Sequence, residues 1–322
     1  MKNTQLRLMM VTISLTLPFG AAAQSWPVKP VRIVSTFTSG SPADALMRLV
    51  AQKLAEPLGQ AVVVEVQAGA GGLVGAQTVA RAAPDGHTLL YSISTTLVTT
   101  PHLVKNRTVE MKDFAPVIIM ARAYTCMLAA TSFAPNSVRE LIAHAKANPG
   151  KVAYASNGIG GTYHLEMEMM KQKQGVDITH VPYKGGTDGL LAAASGTIPI
   201  AFAPCSSVAP QVRAGKVKFL AVLEHKRASD YPDIAAMGEQ LPDYEKISGG
   251  VDIWAPVGVP APIVRRLHTE IDRVLGQPEV RARMKEIGFP YDGTAIEEMA
   301  AQRRKDFELA GRAVKVAGLK SE

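Results

Sequence analysis

From Val31 to Val316 the chain alternates short runs of Val, Ile and Leu with longer stretches whose apolar residues recur every three or four positions. A short apolar run suits a buried strand, and the longer period lays one stripe of a helix against it. Layering helices on sheets buries both, so the pattern predicts an α/β fold with largely parallel sheets. Strands are expected at Val31 to Phe37, Ala61 to Val66 and Thr88 to Ser92, with helices at Pro42 to Leu58 and Leu73 to Arg81. The apolar runs Val117 to Met120 and Met127 to Ala130 precede a helix from Ser137 to Ala147. Further strands are read at Lys151 to Ala155, Ile178 to Val181, Ile198 to Ala203 and Val217 to Leu223. Helices fall between them at Thr162 to Lys173, around Leu190 to Ala194 and at Val208 to Ala214. A strand at Ile253 to Pro256 is followed by helices at Ile263 to Leu275, Glu279 to Ile287 and Ile296 to Val316. The last helix carries a stripe of Ile296, Met299, Phe307, Ala310, Val314 and Ala317.

The first residues read differently. Lys2 and Arg7 precede an apolar run from Leu8 to Phe19, and Ala21-Ala22-Ala23 stands before Gln24. That layout predicts a Sec signal peptide over residues 1–23 and an exported mature chain. The run is shorter than the roughly 20 residues a membrane span needs. A mature chain of about 300 residues suggests two domains. The expected lobes are residues 24–123 with 250–322, and residues 124–249, with crossovers near 123 and 249. The net charge of +7 falls to +5 without Lys2 and Arg7, and the excess is spread along the chain. No basic run interleaved with aromatics marks a nucleic-acid interface. The two cysteines, Cys126 and Cys205, follow no disulfide framework or zinc spacing, so free thiols are favoured over a bridge.

Two loops could carry chemistry. Ser35 to Asp44 follows the first strand, with Ser41, Pro42 and Asp44 placed as N-cap, first helical residue and acid in the first turn. Ala155 to Thr162 follows a later strand and holds Gly158, Gly160 and Gly161 beside Ser156 and Asn157. Free N–H groups and the dipole at a helix start favour anions. Two such starts at strand carboxyl ends, one per lobe, would grip one anion between them. Gly69 to Gly75 misses the dinucleotide spacing, because Val74 stands where the third glycine belongs. No G-x-S-x-G elbow is present. His164 and Glu168 share a helical face, yet no third metal ligand is evident.

Several motifs in register resemble the Bug family, the substrate-binding receptors of tripartite tricarboxylate transporters. They are Pro27 to Val34, Gly69-Ala70-Gly71-Gly72, Ala83 to Leu90, Asp113 to Val117, Ala147 to Lys151, Val181 to Gly185 and Trp254-Ala255-Pro256. The resemblance covers essentially the whole mature chain. It implies a two-lobe, type II-like periplasmic binding protein with its ligand in the interdomain cleft. It also implies a periplasmic monomer without cofactor or catalysis, binding a small carboxylate and serving a two-component inner-membrane permease. The implied cleft comprises Phe37, Ser39, Gly40, Ser41 and Asp44 of the first loop, Gly71, and Ser94 and Thr95. The other lobe would supply Ser156, Asn157, Gly158, Thr162, His164 and Tyr183, with Cys205 and Asp252 near the distal half. Thr38, Ser39 and Ser41, then Ala203-Pro204-Cys205, and Gly250-Val251-Asp252 depart from the family pattern. Those departures leave citrate, a C4 dicarboxylate or an aromatic carboxylate open. An exported enzyme using Cys205, or a ligand-sensing partner of a membrane kinase, are the alternatives.

Overall fold

The computed structural model describes residues 26–106 and 108–320. The expected signal peptide and its junction at Gln24 lie outside the described residues. The strands are β1 (Val31–Ser35), β2 (Val62–Val66), β3 (Thr88–Ile93), β4 (Phe114–Ala121), β5 (Thr125–Ala130), β6 (Val152–Ser156), β7 (Ile178–Pro182), β8 (Ile200–Pro204), β9 (Val217–Val222), β10 (Val251–Pro256) and β11 (Tyr291–Thr294). The helices are α1 (Pro42–Leu58), α2 (Leu73–Ala80), α3 (Thr95–Val98), α4 (Val138–Ala147), α5 (Thr162–Gln174), α6 (Gly186–Ala194), α7 (Cys205–Arg213), α8 (Met237–Gln240), α9 (Ala261–Leu275), α10 (Pro278–Glu286) and α11 (Ile296–Val316). None of the described helices is long and apolar enough to cross a membrane.

The strands form a six-stranded sheet, β11-β4-β10-β3-β1-β2, and a five-stranded sheet, β7-β6-β8-β5-β9. Both are mixed, which corrects the expectation of largely parallel sheets. β1 pairs parallel with β2 and β3, and β6 pairs parallel with β7 and β8. β10 runs antiparallel to β3 and β4, and β5 runs antiparallel to β8 and β9. The reversals come from the crossovers. β5 enters the second sheet from the first, and β10 returns to the first, so each opposes strands that run toward the junction.

Successive residues point to opposite faces of a strand, and both faces of the first sheet are covered. Ile33, Ile118 and Ile253 pack with Leu46, Leu267 and Ile271 of α1 and α9. Their neighbours Val34, Ile119 and Trp254 pack the other way, with Leu73 of α2 and Met299 of α11. Burial on both faces explains why these strands read as unbroken apolar runs. In the second sheet Met127, Tyr154 and Phe202 face one cluster, and Leu128, Ala155 and Ala203 the other.

Local signals set the helix ends. The Ser41 hydroxyl accepts from the Asp44 N–H at 3.2 Å, Pro42 opens α1, and Gly59 closes it in the left-handed region. Three elements were not expected. The Thr-rich α3 and the short α8 lack a helical stripe, and β11 is an edge strand of Tyr, Asp, Gly and Thr. α11 begins against the first sheet through Met299, while Leu309, Ala310 and Ala313 pack with Leu165 and Met169 of α5.

Candidate functional site

A cavity of about 380 Å³ opens where β3, β4, β6 and β9 end and β10 begins. On the side of the first sheet it is lined by the hydroxyl-bearing residues Ser94, Thr95, Thr99 and Thr100. The Gly69-Ala70-Gly71-Gly72 turn packs behind this wall. At Gly72, with φ of 92°, an added Cβ would lie 2.5 Å from Thr96 Oγ1. Glycine at that position allows the turn to support the Ser94–Thr100 segment closely.

The opposite wall is the loop after β6. Ser156 Oγ accepts from the Gly158 N–H at 3.0 Å and meets His180 Nε2 at 2.6 Å. The Gly160 N–H donates to His164 Nδ1 at 3.0 Å, and the His164 and His180 rings stack with centroids 3.9 Å apart. Burial, reinforced by the neighbouring His164, pushes His180 down to about 4. Both imidazoles thus serve as neutral supports for the loop. Their position lets Asn157, Ile159, Gly160, Gly161 and Thr162 face the cavity. The Asn157 side-chain Oδ1 accepts from the Tyr163 N–H at 3.3 Å. Gly161 has no side chain to cap α5, so apart from the Tyr163 N–H held by Asn157 this helix start can direct N–H groups at an anion.

The rest of the lining is different in chemistry. Leu223, Ile247 and Phe289 make an apolar wall, interrupted by Glu166 and Lys246. Glu166 is buried and accepts from the Tyr244 hydroxyl at 2.9 Å and the Ile247 N–H at 3.1 Å. Burial pushes its carboxyl up to about 7, against the pull of the Lys246 charge and these donors. Lys246 Nζ pairs with Glu224.

Of the residues read from the sequence, Ser94, Thr95, Asn157 and Thr162 line the cavity. Ser156, Gly158, His164 and Tyr183 sit behind it, and Gly71 packs against Thr100. Phe37 packs on Tyr91, while Ser39 and Gly40 are exposed and Ser41 caps α1. Asp44 is buried and accepts from the Gly40 N–H at 2.9 Å and from Arg48 at 3.0 Å. Glu168, on the same helical face as His164, accepts from the Tyr154 hydroxyl and from Lys171.

Two expectations are corrected. Cys205 is fully buried in a disulfide with Cys126 rather than facing the cleft as a free thiol. Antiparallel pairing sets Cys126 opposite Ala203, which brings the start of α7 within reach. Asp252 is also fully buried and faces α11, where Arg303 grips both its oxygens at 2.7 and 2.9 Å. Arg303 further bonds Asp306 at 3.0 Å and the Ser248 carbonyl at 2.5 Å. A signal existed for this network: Arg303 and Asp306 occupy the stripe of α11 between Met299 and Ala310, where apolar residues belong. Lys246 and Phe289 lie in segments without periodicity, and no sequence signal marks them. Glu166 stands on the buried side of α5, where an acid is out of place.

Comparison with known proteins agrees with this geometry. The profile of a family described as "Tripartite tricarboxylate transporter family receptor" matches residues 46–307. A UPF0065 protein of Bordetella pertussis is 36% identical over 274 residues, covering 84% of each chain. An R. palustris protein solved with adipate is 30% identical, with a TM-score of 0.72 over 92% of this chain and 100% of that one. MatC of Rhodopseudomonas palustris, solved with bound malate, is 28% identical, with a TM-score of 0.67 over 91% of this chain and 100% of that one.

Proposed function

Because the chain belongs to the tripartite tricarboxylate transporter receptor family, we propose that it is exported to the periplasm, captures a small carboxylate and presents it to a two-component permease. The observation that carries this reading is the cavity between the two sheets, lined by hydroxyls from one and by the start of α5 from the other. That arrangement suits an anion held without formal positive charge at its carboxylate end. The adipate and malate bound by relatives support a carboxylate ligand.

In this reading the lobes are residues 24–123 with 250–322, and residues 124–249. They close about the crossovers near 123 and 249, bringing Phe37 to Ser41 over the captured ligand. Four to six hydrogen bonds to charged oxygens, about 1.5–3 kcal/mol each, outweigh an association cost of several kcal/mol. A micromolar dissociation constant, about −8 kcal/mol, is expected. The receptor acts as a monomer and leaves its ligand unchanged, and the disulfide removes Cys205 as a nucleophile.

Thermal-shift screening of mono- and dicarboxylates, followed by calorimetry, tests the reading. Binding in the micromolar range with ligand recovered intact by chromatography is the expected result. Multiple turnover to a product would overturn it. Mass spectrometry of periplasmic protein should find an N-terminus within a residue or two of Gln24, and intact Met1 would contradict export.

A further inference from the structure

We propose that this cleft selects a monocarboxylate with an apolar body and disfavours a second carboxylate. The inference deepens the receptor reading and rests on it. Among the described residues, the charged side chains lining the cavity are Lys246 and Glu166. Lys246 is already paired, its ammonium bonded to a Glu224 oxygen and its side chain only 13% exposed. Glu166 lies beside it, buried, with both oxygens occupied by the Tyr244 hydroxyl and the Ile247 N–H.

Two carboxyl groups therefore share one ammonium on the cavity wall. With both ionised this group is net negative, and with Glu166 protonated it is neutral. Neither state leaves positive charge for a second ligand carboxylate. An anion placed there would meet like charge between poorly polarisable walls, where repulsion is strengthened.

The walls point the same way. Ile93 is 41% exposed and Ile159 is 69% exposed, although both line the cavity. Ile93 ends β3 and Ile159 lies in the loop after β6, and Leu223, Ile247 and Phe289 add to the apolar surface. An apolar ligand body would cover these groups while its single carboxylate reaches the hydroxyls and the start of α5. The relatives solved with adipate and malate hold dicarboxylates, so the inference separates this chain from them.

Calorimetry on the mature protein at pH 7.4 tests it, with benzoate and phenylacetate against malate and adipate. The better aromatic monocarboxylate should bind at least tenfold more tightly than either dicarboxylate. Glu224→Gln, at a partly exposed position, frees Lys246 and should shift the ratio at least fivefold toward the dicarboxylates. Circular dichroism checks that the variant is folded, and Glu166→Gln provides a second variant with the same expected direction. Malate or adipate binding as tightly as the monocarboxylates would overturn the inference while leaving the receptor reading standing. An unchanged ratio in both variants would also overturn it. Binding of none of the four by wild-type protein would overturn both readings together.

Discussion

Removing the disulfide should weaken the second sheet much more than the first. Cys126 and Cys205 are 79 residues apart, and the segment between them contains β5 through β8, all strands of the second sheet. In the chain-entropy treatment, a loop of that length lowers the entropy of the unfolded chain by about 15 cal/mol/K, or about 4.5 kcal/mol at 25 °C. Measured effects usually fall below the ideal value, so replacing both cysteines with alanine should cost about 3–4 kcal/mol. Alanine is preferred to serine because both sulfurs are fully buried and a hydroxyl there would lack partners. The tryptophans allow the loss to be located. Trp254 lies in β10 of the first sheet, and Trp26 packs against the cluster on one face of that sheet. Urea unfolding followed by tryptophan fluorescence therefore reports the first sheet, whereas far-ultraviolet circular dichroism reports both. The double variant should lose an early fraction of the dichroism while the fluorescence transition moves by less than about 1 kcal/mol. A total loss under about 1 kcal/mol would refute the entropic reasoning. Equal displacement of both signals would refute confinement of the effect to the second sheet.

Four further outcomes are expected. Thr162→Ala should weaken carboxylate binding by about 0.5–1.5 kcal/mol, or up to about 3 kcal/mol if the hydroxyl bonds the carboxylate. Gly158→Val should cost more, because its φ of 106° disfavours a branched side chain, and calorimetry compares the two. The folded-state value of Glu166, about 7, lies above its ordinary 4.5, so the stability contributed by its protonated form is full below pH 4.5 and lost as pH rises through 7. Relative to Glu166→Gln, wild-type protein should lose up to about 3 kcal/mol between pH 4.5 and 8, and parallel urea midpoints that keep a constant gap would contradict this. Arg303→Met leaves the buried Asp252 and Asp306 without their cation and should destabilise by about 3–5 kcal/mol in urea unfolding.

How legible the molecule was in its sequence depended on the range of the interaction involved. α1 and α11 were readable to the residue, because Ser41, Pro42, Asp44 and an apolar stripe act within a few positions of one another. The loop around Asn157 was legible for the same reason, since a strand end feeding a helix start is a local pattern, whereas Ser94 and Thr95 came only from the family resemblance, α3 having no helical stripe. The antiparallel course of β5 and β10 was not, because strand direction depends on where the chain crosses between sheets. The partners of Cys205 and Asp252 were equally hidden, as each is set by packing with residues 79 and 51 positions away. Lys246 acquired its place in the cleft only through the path of an irregular return segment, to which no periodicity applies.

The position of β10 carries a consequence for the order of assembly. This strand lies between β3 and β4 and supplies their only ladder connection in the described sheet, yet it begins at residue 251. Until that segment is available, β4 has no neighbour on the side of β3, and the part of the chain made first cannot complete its own sheet. The strands of the second sheet all lie between residues 125 and 222 and require nothing synthesised later for their ladder. Closing a contact across so long a stretch of chain is slow, and ordering the intervening segment first shortens the span that remains to be closed. Pulse-labelling hydrogen exchange should therefore show β5 amides protected before those of β4, so that the half of the molecule that leads in sequence finishes last.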